Sequence, residues 1–221
     1  MDNTLFEQVD NYISDLLAPE DKILSAALKL LERENIPNIS ISPTQGKLLQ
    51  VFAKACNARR ILEIGTLGAY STIWLARTLP DDGKLITIEY DENCAKVAAK
   101  NIANAGLSDK IDLRIGKALE VLTGMKNAGE QPFDLVFIDA DKPPYLEYFK
   151  LALELSRQGS IIICDNVIRE GKILDDATTD EKVIGVQRLN NYLSNSKEVT
   201  ATILQTVGVK EHDGMVIAVV N

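Results

Sequence analysis

The stretch Phe133 to Phe149, FDLVFIDADKPPYLEYF, brings Asp139, Asp141 and Lys142 within four positions at the end of an apolar run, and Pro143 and Pro144 then halt the chain. A second apolar run, GSIIICD, delivers Asp165 and is followed at once by Asn166. Two carboxylates and an amide, without His or Cys, are hard oxygen donors. They suit Mg2+, with Mn2+ or Ca2+ as alternatives, and water or substrate would complete the shell. Lys142 stands one short turn beyond Asp139, where a bound cation would disfavour its ammonium form and make it a base near neutral pH. Plainer roles stay open: Asp139 and Asp165 as helix caps, and Lys142 paired with Asp141 on the surface.

A second group of residues points to a nucleoside. In ILEIGTLGAYS, Gly65 and Gly68 let the backbone turn tightly and approach a ligand. The dinucleotide fingerprint is incomplete, because Tyr70 takes the place of a third glycine. Glu89 follows this loop at about the 20-residue spacing at which an acid accepts hydrogen bonds from ribose hydroxyls.

These residues need a scaffold, and the chain reads as one. Leu5, Val9, Tyr12, Ile13 and Leu16 repeat at helical spacing, as do Ile23, Ala26, Ala27, Leu30 and Leu31. Pro19 is expected to open the second helix, with Glu20 and Asp21 favouring its positive end. Ser42, Pro43 and Gln45 form the signature of a capping box for a third. Apolar strands then alternate with helices: RRILEI, GKLITIEY, KIDLRIG, FDLVFIDA and GSIIICD, joined by STIWLARTL, ENCAKVAAKNIANAG, ALEVLTGMK and YLEYFKLALELS. Such alternation implies parallel pairing, right-handed crossovers and an open, doubly wound α/β sheet. The tail, VTATILQTV and GMVIAVV around GVKEHDG, reads as an antiparallel hairpin. Ligands of such sheets bind beyond the carboxyl ends of the strands, so Glu63, Glu89, Asp139, Asp141, Asp165 and Asn166 are expected on one rim.

Bulk properties narrow the function further. The 221 residues suit a single domain, residues 1–57 forming an N-terminal helical cap and 58–221 the α/β core. A net charge of -8 without a basic cluster disfavours nucleic acid and anionic membranes. No run reaches the length of a membrane span, and the acidic start lacks a secretory n-region. Three widely spaced cysteines argue for reduced thiols and a cytoplasmic setting. The one histidine, His212, reads as surface, with substrate contact as the alternative.

Taken together, ISPTQGKLL, ILEIGTLGAYST, GKALEVL, FIDADK, CDNV and DGMVIAVV resemble the cation-dependent, S-adenosylmethionine-dependent O-methyltransferases of the catechol and caffeoyl-CoA group. The resemblance spans nearly the whole chain. It implies the class I methyltransferase (Rossmann-like) fold, with seven strands and the last antiparallel. It also implies S-adenosylmethionine contacts at Ile41, Glu63, Gly65, Thr66, Gly68, Ser71, Glu89 and Ala118, with Asp139 and Asp141 beside them. Asp139, Asp165 and Asn166 would hold the cation and Lys142 would act as general base. The implied acceptor is a small aromatic vicinal diol, and the implied assembly a homodimer. The N-terminal helices precede the alternating elements and are not needed to close the sheet, so they are expected to serve substrate entry or dimer contact, with a core role as the alternative. Glu170 and Arg169 depart from the plant caffeoyl-CoA pattern, which has an asparagine and an aromatic residue there. A nicotinamide-dependent oxidoreductase and a non-catalytic nucleoside-binding protein are the competing readings.

Overall fold

The computed structural model describes residues 3–210 and 212–221. Met1 and Asp2 of the acidic start and Glu211 of the expected hairpin turn lie outside the described residues. Three helices come first: α1 (Asn3–Leu17), α2 (Lys22–Arg33) and α3 (Pro43–Ala55). Then follow β1 (Arg60–Ile64), α4 (Tyr70–Ala76), β2 (Lys84–Glu89), α5 (Glu92–Asn104), β3 (Ile111–Ile115), α6 (Ala118–Asn127), β4 (Phe133–Ile138), α7 (Tyr145–Glu154) and β5 (Ser156–Asp165). A 3-10 turn (Arg169–Leu174), α8 (Glu181–Asn195), β6 (Val199–Thr206) and β7 (Asp213–Val220) complete the chain.

The strands form one seven-stranded sheet in the order β3-β2-β1-β4-β5-β7-β6. β1 to β5 pair in parallel, and β7 runs antiparallel to both β5 and β6. This is the expected doubly wound sheet with its last strand reversed. The direction of winding switches at β1 and β4, where a crevice must open beyond the strand ends.

Period-two alternation divides the core between the two faces of the sheet. Leu62, Ile64, Val136, Ile138, Ile162 and Cys164 pack on one face with Tyr145, Phe149, Val186 and Leu189 of α7 and α8. Ile61, Leu135, Phe137 and Ile163 pack on the other with Leu24, Ala27, Leu49, Tyr70 and Trp74 of α2, α3 and α4. Every residue of β4 is buried, which explains its unbroken apolar run.

The N-terminal helices divide by role. Leu24, Ala27 and Leu31 make α2 part of the core. In α1 no side chain from residue 4 to 17 is buried, and Leu5, Val9, Tyr12, Leu16 and Leu17 are all exposed. Asp10 tethers α1 on its polar face, accepting from Thr44 Oγ1 at 2.8 Å and from the Val209 backbone N–H at 3.2 Å. The capping box of α3 forms as expected, with Ser42 and Gln45 bonding reciprocally.

One expectation needs correction, and one helix was not foreseen. α2 begins at Lys22 rather than Pro19, because the Asp21 carboxylate accepts the Ile23 and Leu24 N–H groups and so serves as the N-cap instead of a first-turn charge. Glu181–Asn195, to which the sequence pattern assigned no element, forms α8. Its start is capped by Asp180, and the Asp-rich stretch DDATTD masks its onset.

Candidate active site

A cleft of about 890 Å³ lies beyond the carboxyl ends of β1, β2, β4 and β5, where the open-sheet rule places it. Its lining includes Ile41, Gly65, Thr66, Ser71, Glu89, Asp139, Asp141, Lys142, Asp165 and Asn166. Three further predicted residues, Glu63, Gly68 and Ala118, lie outside that lining.

The β1 loop is built around Glu89. One of its oxygens accepts the backbone N–H groups of Thr66 at 3.2 Å and Leu67 at 2.8 Å, and the other accepts that of Asp91 at 2.8 Å. A carboxylate has about four lone-pair positions, so one remains to face a ligand. Gly65, at φ +96°, is required by contact as well as conformation: a Cβ there would lie 2.0 Å from the Asp139 carbonyl oxygen. Gly68 serves differently than expected. It makes room for Leu31 of α2, which a Cβ would meet at 2.8 Å, so the close approach is to the core rather than to a ligand.

Glu63 also departs from the expected rim, being fully buried behind the cleft. The reason is local: Ser71 and Thr72 at the start of α4 and Thr87 on β2 all donate hydroxyls to its carboxylate, at 2.6, 2.5 and 2.7 Å. Thr66 extends this network through its hydroxyl to Thr87, at 2.6 Å. Burial pushes the Glu63 carboxyl up to about 7, against the pull of the three hydroxyls, and the charge of Asp139 adds to the rise.

The ends of β4 and β5 bring the second group together. Asp165 is 2% exposed, and burial followed by the nearby Asp139 carboxylate pushes its carboxyl up to about 7. Lys142 and the Asn166 N–H act in the opposite direction. Asn166 adopts φ +58°, an uncommon conformation for a non-glycine residue, and its side-chain amide makes no hydrogen bond to the described residues. Two neighbouring carboxylates beside an amide that bonds no described residue form a donor set that fits a hard divalent cation. Among the described residues, no group of three His, Cys, Asp or Glu side chains offers a different metal site.

Lys142 is buried, with 6% exposure, and its Nζ lies 3.2 Å from Asp139 Oδ1 and 2.7 Å from the Tyr145 hydroxyl. A surface pair with Asp141 is therefore excluded. The Asp141 carboxylate instead accepts the hydroxyl of Tyr148 at 2.6 Å. The turn carrying Lys142 is pressed against α8, where a Cβ on Gly185 would lie 2.1 Å from the Lys142 carbonyl oxygen.

Of the further residues that shape the cleft, Asp213, Lys182 and Lys210 escaped the sequence reading, whereas Arg169 and His212 were named there without being assigned to the site. Asp213 opens β7 and accepts the N–H groups of Ile168, Arg169 and Gly214, pinning the loop after β5. Arg169, Lys182 and Lys210 line the cleft as cations and form no ion pair with a described residue. His212 lines it as well and bonds Gln205 at 3.0 Å. Tyr145 and Gly185 gave no warning, because a tyrosine and a glycine inside helical patterns read as core and filler.

The family model described as O-methyltransferase matches residues 14–219. The chain belongs to the O-methyltransferase family. It is 55% identical over its full length, and the full length of that relative, to a protein named catechol O-methyltransferase from Niastella koreensis. Two solved structures superpose with a TM-score of 0.96. One is an O-methyltransferase from Bacillus cereus in complex with SAH, 46% identical, covering 99% of this chain and 100% of that one. The other is the O-methyltransferase TomG from Streptomyces achromogenes, involved in tomaymycin synthesis and solved with SAM, 44% identical, covering 100% and 99%. This methyltransferase thus shares the fold of its relatives from α1 to β7. No helix among its described residues is long and apolar enough to cross a membrane.

Proposed function

We propose that this methyltransferase moves the methyl group of S-adenosylmethionine to one hydroxyl of a small vicinal-diol aromatic acceptor, of catechol, flavonoid or caffeoyl type, with the help of a divalent cation. The observation that carries this reading is the meeting, in one cleft, of the Glu89-anchored loop with Asp139, Asp165, Asn166 and Lys142. The relative named catechol O-methyltransferase and the neighbours solved with SAH and SAM support the acceptor class and the cofactor.

The chain's own residues take distinct parts. Glu89 accepts the ribose hydroxyls, and Ile41, Gly65, Thr66, Ser71 and Asp141 line the cofactor's side of the cleft. Glu63 acts from behind by fixing Ser71 and, through Thr87, Thr66. Ala118, the first residue of α6, packs against the core, and Gly68 makes room for Leu31; neither lines the cleft. Asp139, Asp165 and Asn166 would hold the cation, which when bound supplies Lewis-acid acidification of a diol hydroxyl. Lys142 removes that hydroxyl's proton, and the cleft aligns the oxygen for in-line attack on the methyl group. A nicotinamide reading would leave Lys142, Asp165 and Asn166 without a role.

The exposed apolar residues of α1 fit contact with a second copy of the chain, and three unpaired cysteines suit a cytoplasmic setting. The deciding experiment is a methyl-transfer screen over catechols, flavonoids and caffeoyl esters, run with Mg2+, with Mn2+ and with EDTA. Transfer that requires the added cation supports the reading. Full turnover in exhaustively chelated enzyme would overturn the metal assignment.

A further inference from the structure

Tyr145 is fully buried at the first turn of α7, three residues beyond Lys142, and its hydroxyl has three partners. It lies 2.7 Å from Lys142 Nζ, 2.7 Å from the Asp165 carbonyl oxygen and 3.0 Å from the Ile138 carbonyl oxygen. The two carbonyls end β5 and β4, the strands that deliver the candidate cation ligands. Both can only accept, and a phenol has one proton to donate. That proton is therefore committed to the strand ends, and the lone pairs of the phenol oxygen are what face Lys142. Lys142 must be the donor in the bond between them.

We propose that Tyr145 is a positioning residue that aims the lone pair of Lys142 into the cleft. The inference rests on the reading of Lys142 as the base. An amine acting as a base has two N–H groups and one lone pair. Tyr145 Oη takes one N–H, Asp139 Oδ1 at 3.2 Å takes the other, and the remaining direction belongs to the cleft that Lys142 lines. Because the phenol proton is held by backbone, the phenol cannot donate to the amine and quench it. In the step itself the acceptor's O–H bond breaks, a third N–H bond forms on Lys142, and the oxygen keeps the electron pair. Gly185 supports the same geometry from α8 by letting that helix touch the Lys142 carbonyl.

The test is a double-mutant cycle of Tyr145→Phe and Lys142→Ala in the Mg2+-loaded enzyme, with a catechol acceptor. Tyr145→Phe removes one oxygen and should lower kcat roughly tenfold to hundredfold, the cost of a misaimed group. Acceptor KM, and the calorimetric affinities for S-adenosylmethionine and Mg2+, should stay within about twofold, because neither the Glu89 loop nor the carboxylates lose a partner. In the Lys142→Ala background, Tyr145→Phe should change kcat no further. A general structural role would instead lower Mg2+ affinity and depress kcat by the same factor in both backgrounds, which would overturn the proposal. Wild-type kcat in Tyr145→Phe alongside a crippled Lys142→Ala would overturn Tyr145 and leave the base reading standing. Wild-type kcat in Lys142→Ala would remove the base and its positioning residue together. Should the phenylalanine variant not fold, 3,5-difluorotyrosine at 145 keeps the contacts while weakening the oxygen as an acceptor. A fall in kcat of at least a few-fold is then expected, and an unchanged kcat overturns the proposal.

Discussion

Glu63 predicts a pH dependence of stability that can be worked from its surroundings. Its side chain is fully enclosed and burial lifts its carboxyl from 4.5 to about 7, even with three hydroxyls donating to it. In the unfolded chain it titrates near the ordinary value, so between these two values the folded state binds more protons. Stability from this group is fully present below about 4.5 and is lost as pH rises through about 7. At about 1.4 kcal/mol per pH unit, the displacement corresponds to about 3 kcal/mol in total, most of it lost between pH 5 and 8. For a chain of this size that is a fall in Tm of roughly 5–10 °C. Asp165 shifts in the same direction, and the net charge of -8 also acts with pH, so the wild-type profile alone does not isolate Glu63. Glu63→Gln does. The amide keeps the shape, and the Ser71 and Thr72 hydroxyls can rotate to accept as well as donate. Thermal unfolding of both proteins from pH 5 to 8, in EDTA and without cofactor, should give curves that diverge as pH rises, the wild type losing more. Parallel curves would refute the buried-carboxyl reasoning.

Three further outcomes follow from the same geometry. Glu89→Ala removes the acceptor for three loop N–H groups as well as a ribose partner, and should weaken S-adenosylmethionine binding by about 1.5–3 kcal/mol, roughly tenfold to 150-fold; unchanged affinity by calorimetry would remove Glu89 from the cofactor site. Gly185→Ala drives a methyl group into the Lys142 carbonyl, so the turn must shift; stability should drop by about 1–3 kcal/mol, and kcat should fall at least tenfold with cofactor affinity retained. A variant with wild-type kcat would mean that the Lys142 turn tolerates displacement. Replacing Val9, Tyr12 and Leu16 by serine should turn a dimer into a monomer in sedimentation velocity without unfolding it, since none of the three is buried in the protomer; a wild type that is already monomeric contradicts the role given to α1.

Sequence alone determined the sheet and the residues at its strand ends. A strand is short and local, its apolar period is visible in a few residues, and chain direction decides which end carries the ligands. Hence Asp139, Asp165, Asn166 and Glu89 could be assigned to one crevice from their places after FDLVFI, SIIIC and KLITI. Lys142 followed because three residues of a tight turn cannot carry it far from Asp139. Tertiary structure decided everything that depended on what packs behind that rim. Glu63 and Gly68 stand beside cleft residues in sequence, yet one is enclosed by hydroxyls from α4 and β2 and the other is pressed against Leu31 of α2. Asp10 lies off the apolar stripe of α1, and only the folded chain brings Val209, 199 residues away, to donate to it. Tyr145 and Gly185 carry no pattern at all. Their significance is a distance to the Lys142 amine and to the Lys142 carbonyl, and such distances exist only after α7 and α8 have packed on the finished sheet.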